Sequence, residues 1–206
     1  MYAAVITLLA VLAFALSMIL PNDFLSYLSS MFIAWGFVPL ICAFAAFGDN
    51  ESKAAGYMAI AFSAVYTVFV MLVYFAQLTT VRLSGLSQPV AQIFDYKAMG
   101  LFFNYDLLGY AFMALATFFI AWTIKAQTIG DKWLKGLLLG HGVFAVTCTI
   151  MPILGVFAPV TTGGSQSSSA QMGVIVLEFW CAYFVPVCIL AYRHFGRKKK
   201  APIKKH

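Results

Sequence analysis

Residues 54–78 read AAGYMAIAFSAVYTVFVMLVYFAQL, an unbroken run without one charged side chain. Wound as a helix at about 1.5 Å per residue, such a run is long enough to cross the roughly 30 Å hydrocarbon core of a bilayer. Its polar residues are not scattered. Ser63, Tyr66, Thr67, Tyr74 and Gln77 fall within a sector about 100° wide on the helical wheel, and the rest of the surface is nearly all apolar. The stretch predicts a spanning helix with one polar face turned toward a protein interior.

Five more runs of the same kind flank it, so six spans are expected: Ala3–Leu20, Tyr27–Phe47, Ala54–Leu78, Met99–Ile124, Leu134–Ala158 and Met172–Tyr192. The composition agrees. Hydrophobic residues make up 63% of the 206 and charged residues 10%, against roughly 45–50% and 25% in soluble domains. A water-soluble globule cannot be clothed with so little polar surface. The runs are continuous rather than alternating, which excludes a closed β-barrel. The fold class expected is therefore all-α, a polytopic bundle of six transmembrane helices. The first run lacks a basic leader and is longer than a signal-peptide core, so it is taken as span 1, although Ala13-Phe14-Ala15 resembles a cleavage site.

The net charge of +6 belongs to one end of the chain. Seven of the 13 basic residues lie in positions 193–206, and the remainder carries 6 basic against 7 acidic residues. Clustered Lys and Arg directly after a span mark a cytoplasmic end that attracts anionic lipid headgroups, which fits better than nucleic acid. Residues 1–192 are thus expected as the transmembrane domain and 193–206 as a basic cytoplasmic tail. Six spans then put both termini in the cytoplasm. Lys53, Lys125, Lys132 and Lys135 fall on inward loops, while the outward segments carry only Arg82 and Lys97, as the positive-inside rule requires. The expected location is a cell (inner) membrane.

Between spans 3 and 4, Ser87-Gln88-Pro89 has the form of a helix start, and Val90, Ile93 and Phe94 share one face. That predicts a short interfacial helix, either a plain connector or a lid over an outward cavity. The stretch 161–171, TTGGSQSSSAQ, reads as low-complexity and mobile.

Several chemistries are struck off. No span interior holds a lysine for a Schiff base, and H-E-x-x-H, C-x-x-C, P-loop and G-x-G-x-x-G patterns do not occur. The four cysteines lie inside spans, where they serve as small apolar residues. Tyr105-Asp106 has the form of half an aspartyl-protease site, but the Gly-x-Gly-Asp half is missing. No metal site and no cofactor are expected, and His141 and Cys148, about 10 Å apart along a helix, cannot chelate one ion.

Three ionisable residues remain about two turns inside spans: Asp106, His141 and Glu178. A charge near the bilayer centre costs about 2.5–3.5 kcal/mol, which implies a partner, a wet cavity or protonation. By helix rise, Asp106 and Glu178 fall in the outer half and are expected to share one site. His141 falls in the inner half, beyond reach of both, as a proton relay or a structural histidine. Asp106, Gly109, Tyr110, Met113 and Thr117 form one stripe on span 4. Gly136 and Gly140 form a Gly-x-x-x-Gly packing surface on span 5. Pro39 and Pro152, mid-span in similar settings, raise the idea of an inverted repeat; Pro186 has no counterpart in span 3, which counts against it.

Residues 94–119 (FDYKAMGLFFNYDLLGYAFMALATFF) and 133–145 (WLKGLLLGHGVFA) resemble bacterial six-span membrane proteins of unknown function. The resemblance is one of texture across spans 3 to 5. It implies a bacterial inner-membrane protein and carries over no site residue.

The function expected first is a small transporter or permease for a polar or cationic solute. Asp106, Glu178, Tyr74, Tyr110, Tyr66, Thr67, Ser63 and Gln77 would line its outer-half acidic cavity. An accessory subunit, partnered by a second copy or another membrane protein, comes second. It predicts an apolar, small-residue-rich face left exposed in the monomer. An intramembrane enzyme comes third, since no nucleophile–base spacing is visible.

Overall fold

The computed structural model describes residues 1–157 and 166–200, with side chains up to 157 and from 174 to 198. Every long element is a helix. Six stretches are long and apolar enough to cross a membrane. They comprise α1 (Tyr2–Ile19), α2 (Asp23–Phe47), α3 (Lys53–Ala76), α5 (Leu101–Ile120), the broken pair α6 (Ile129–His141) and α7 (Val143–Ile153), and α8 (Gln166–Lys200). The short α4 (Gln88–Phe94) lies between spans 3 and 4. The chain is an all-α polytopic membrane bundle.

Local chemistry sets the ends. The Asn22 side chain accepts the Leu25 N–H at 3.0 Å and starts α2. Thr128 and Asp131 form a reciprocal capping box on α6, satisfying N–H groups that the first turn leaves unpaired. Ser87 and Pro89 open α4, where a fixed φ and a missing N–H do no harm. Gly100 precedes α5 with the carbonyl of Gln92 pressed into the space a Cβ would occupy; only glycine lets α4 fold back this closely.

Neighbours in sequence pack as neighbours in space: α1 on α2, α2 on α3, α3 on α5, α5 on α6 and α7, α6 on α8. The ring closes where α8 packs on α1. Close approaches depend on glycine. A Cβ on Gly36 would sit 3.0 Å from the Thr7 backbone nitrogen, and one on Gly109 would sit 3.1 Å from Phe69 Cβ. The second contact draws α5 against α3, and with it Asp106 toward Tyr74.

The inverted-repeat idea, which Pro186 already counts against, gains no support. α2 runs unbroken through Pro39, and span 5 breaks at Gly142, not at Pro152. A proline costs a helix one hydrogen bond, which a bundle tolerates; Gly142 instead accepts Phe118, 2.9 Å from where its Cβ would lie. No inverted pair of broken helices results. The last helix does not stop at Tyr192. It continues to Lys200, with His194 and Phe195 buried. Of the stretch read as mobile, 161–165 lie outside the described residues, while 166–171 begin α8.

Candidate functional site

The interior is crossed by a closed circuit of aromatic rings. Phe37 meets Tyr66 at 5.4 Å, Tyr66 meets Tyr110 at 5.8 Å, and Tyr110 meets Trp180 at 5.6 Å. Trp180 stacks on Phe184 at 5.0 Å, and Phe184 returns to Phe37 at 6.3 Å. Four helices contribute, so the mid-plane is plugged rather than open.

On the α4 side of this plug lies Asp106, only 1% exposed. The Tyr74 hydroxyl donates to its Oδ2 at 3.0 Å. Oδ1 has no partner, and neither do the buried hydroxyls of Tyr66 and Tyr110. An unsatisfied buried polar atom costs about 1–3 kcal/mol, so one carboxyl oxygen and two tyrosine hydroxyls without partners are an unusual concentration. The helical phase of spans 3 and 4 explains their convergence: Tyr66 and Tyr74 are two turns apart on α3, and Asp106 and Tyr110 one turn apart on α5.

Above Asp106 stand two further tyrosines, Tyr27 from α2 and Tyr96 from the 3-10 turn after α4. Their rings lie 5.6 and 5.9 Å from that of Tyr74 and 6.1 Å from each other. Beyond Tyr27 a cavity of about 190 Å³ opens at the α4 end, lined by Asp23, Gln77, Arg82, Asp95 and Lys97 among others. Gln77 anchors the connector that carries Tyr96. Its Nε2 donates to the Phe94 carbonyl at 2.7 Å, and its Oε1 accepts the Tyr96 N–H at 3.0 Å. Gln77 also begins a π-helical turn, Gln77–Val81, a distortion frequent at functional sites.

The remaining sequence candidates divide. Ser63 and Thr67 are spent on their own helix, donating to the carbonyls of Ile60 at 2.8 Å and Ser63 at 2.9 Å. Glu178 does not join Asp106: it is half-exposed on α8, its Oε1 buried without a partner. It stands two positions before Trp180, about 200° around the helix from the side that meets Tyr110. Equal depth does not bring two residues together when their helices present different faces.

His141 is fully committed. Trp180 Nε1–H donates to its Nε2 at 3.0 Å, so Nε2 carries no proton and Nδ1 does. Nδ1 then donates to Thr117 Oγ1 at 2.8 Å, and that hydroxyl donates to the Ala114 carbonyl at 2.8 Å. This is a neutral histidine tying α6 to α5 and α8. Gly140 admits the Tyr183 hydroxyl, which donates to the Leu137 carbonyl at 2.6 Å. Gly136 is exposed, with nothing within 4 Å of its Cβ position. The expected glycine packing surface is therefore not buried within the monomer.

Sequence reading missed Tyr27, Tyr96 and Trp180, and at the opposite end Asp131 with His194. Tyr27 and Tyr96 sit at element ends, where no periodicity marks them. Among the described residues no group of three His, Cys, Asp or Glu side chains could hold a metal ion. At the terminal end, the Lys125 ammonium lies 2.5 Å from Asp49 and holds that carboxyl down to about 2. The chain matches no protein-family model, no curated protein and no solved structure.

Proposed function

We propose that the protein is a small permease that binds a cation, or a polar solute moved with one, at Asp106. The observation that carries this is the convergence of three unpartnered buried oxygens, Asp106 Oδ1 and the hydroxyls of Tyr66 and Tyr110. All can accept from, or coordinate, a small positive guest. Such a guest offsets both the buried carboxylate and the orphaned hydroxyls. Tyrosine faces add cation–π attraction in a desolvated setting.

The surroundings suit alternating access. Toward the α4 end, Asp106 is screened by Tyr27, Tyr74 and Tyr96, and one of these, Tyr96, rides on a connector held by Gln77. Toward the terminal end lies the thicker plug of Phe37, Trp180, Phe184 and His141. The α4 connector thus serves as the thin gate. With the basic terminal end cytoplasmic and the α4 end outside, the chain sits in a cell membrane of bacterial inner-membrane type, open first to the exterior.

The test is a thermal-shift titration of purified wild type and Asp106→Asn with sodium, potassium, ammonium and small amines. A guest that binds the native state raises the melting point, and the rise should vanish in the variant. A shift of equal size in both removes Asp106 from the site.

One observation favours the second reading, an accessory subunit. Gly136 is open, and α7 buries none of its residues. That exposed small-residue face on span 5 is of the kind a partner helix uses.

A further inference from the structure

At the terminal end a second cavity, of about 210 Å³, opens where α2 ends, α5 turns into α6, and α8 finishes. It is far from Asp106 and plays no part in the permease reading. Phe44 and Phe47 form apolar walls, and Lys125, His194 and Lys198 supply polar groups. Phe47 is half-exposed at the end of a spanning helix, the level at which lipid headgroups lie.

The carboxylates of Asp49 and Asp131 are already engaged, and Glu51 also acts on Lys125. Asp49 is paired with Lys125 at 2.5 Å. Asp131 has both oxygens occupied: Oδ1 accepts from His194 Nδ1 at 2.7 Å and from Arg197 at 2.5 Å. Its Oδ2 accepts the Thr128 N–H at 3.1 Å and hydroxyl at 2.8 Å. Because Asp131 holds Nδ1, the 4%-exposed His194 has Nε2 as its nitrogen left for a guest. Lys198 has no bonding partner among the described residues. Lys125 is held by Asp49 and Arg197 by Asp131, which leaves Lys198 as the cavity's ammonium without a carboxylate among the described residues.

We propose that this cavity binds a phosphate group, carried by an anionic lipid headgroup or free in solution. A charge-assisted bond from Lys198, joined by the Lys125 N–H groups that Asp49 leaves free, would meet the phosphate oxygens, and His194, whose Nδ1 donates to Asp131, would accept a phosphate or headgroup O–H at Nε2. Phe44 and Phe47 would meet the start of the acyl chains if the phosphate belongs to a lipid.

The full chain in detergent is titrated with short-chain phosphatidylglycerol, sodium phosphate and short-chain diacylglycerol, and melting is followed. Lys198→Gln is compared with Lys132→Gln, an exposed lysine outside the cavity. A rise with phosphatidylglycerol alone, weakened about tenfold in Lys198→Gln and unchanged in Lys132→Gln, supports the lipid source. The same pattern with sodium phosphate supports the free anion. No rise with either, an equal rise with diacylglycerol, or equal losses in the two variants overturns the proposal.

Discussion

Replacing Tyr66 by Phe isolates one atom. The ring packs 5.4 Å from Phe37 and 5.8 Å from Tyr110, contacts that phenylalanine keeps. The hydroxyl is fully buried and bonds to nothing. In cation-poor buffer its removal should relieve part of a desolvation cost of about 1–3 kcal/mol. For a chain of this length each kcal/mol moves the melting point by about 2–4 °C, so Tyr66→Phe should melt a few degrees above wild type in cation-poor buffer. When a stabilising cation is added, wild type should gain more than the variant, because the variant lacks one coordinating oxygen. The assay is apparent melting of both proteins along one cation titration. If Tyr66→Phe melts below wild type in cation-poor buffer, the hydroxyl is already satisfied and Tyr66 is no part of a cation site.

Other substitutions separate further parts of the account. Gln77→Ala removes both bonds to the α4 connector and should speed amide exchange at residues 88–99 by tenfold or more, leaving the spans protected. Gly136→Leu meets open space, so the monomer should be as stable as wild type, or firmer by about 1 kcal/mol from helix propensity; loss of a co-purifying partner or dimer would identify that face as an interface. Lys125 holds the Asp49 carboxyl at about 2, below its ordinary 3.8. A depressed folded-state value gives stability that is complete above about pH 4 and lost as pH falls toward 2. Asp49→Asn should flatten that acid limb, read by following unfolding against pH.

Hydropathy made the spans legible because lipid imposes one demand on every turn of a spanning helix. Helical phase made half of the Asp106 site legible: Tyr66, Tyr74, Asp106 and Tyr110 share stripes that could be drawn from the chain, and α3 and α5 face each other along those stripes. Glu178 fails by the same logic. Its depth follows from rise per residue, but which side of α8 faces the bundle depends on packing that a single segment does not encode. The Asp131–His194 pair spans 63 positions, and the basic residues after Tyr192 read as a basic cytoplasmic tail. The helix continues because the buried Asp131 accepts from His194 Nδ1 and from Arg197. The break in span 5 falls at Gly142 rather than Pro152 because close packing by Phe118 selects it, a tertiary cause without a local signature.

Cation flux into proteoliposomes holding wild type or Asp106→Asn tests whether Asp106 binds the translocated cation. The variant keeps the shape of the side chain and an acceptor for Tyr74. Flux in wild type that falls at least a hundredfold in Asp106→Asn, with melting within a few degrees, is the predicted result. Equal flux in both, or flux in neither for any cation that shifts wild-type melting, would contradict it.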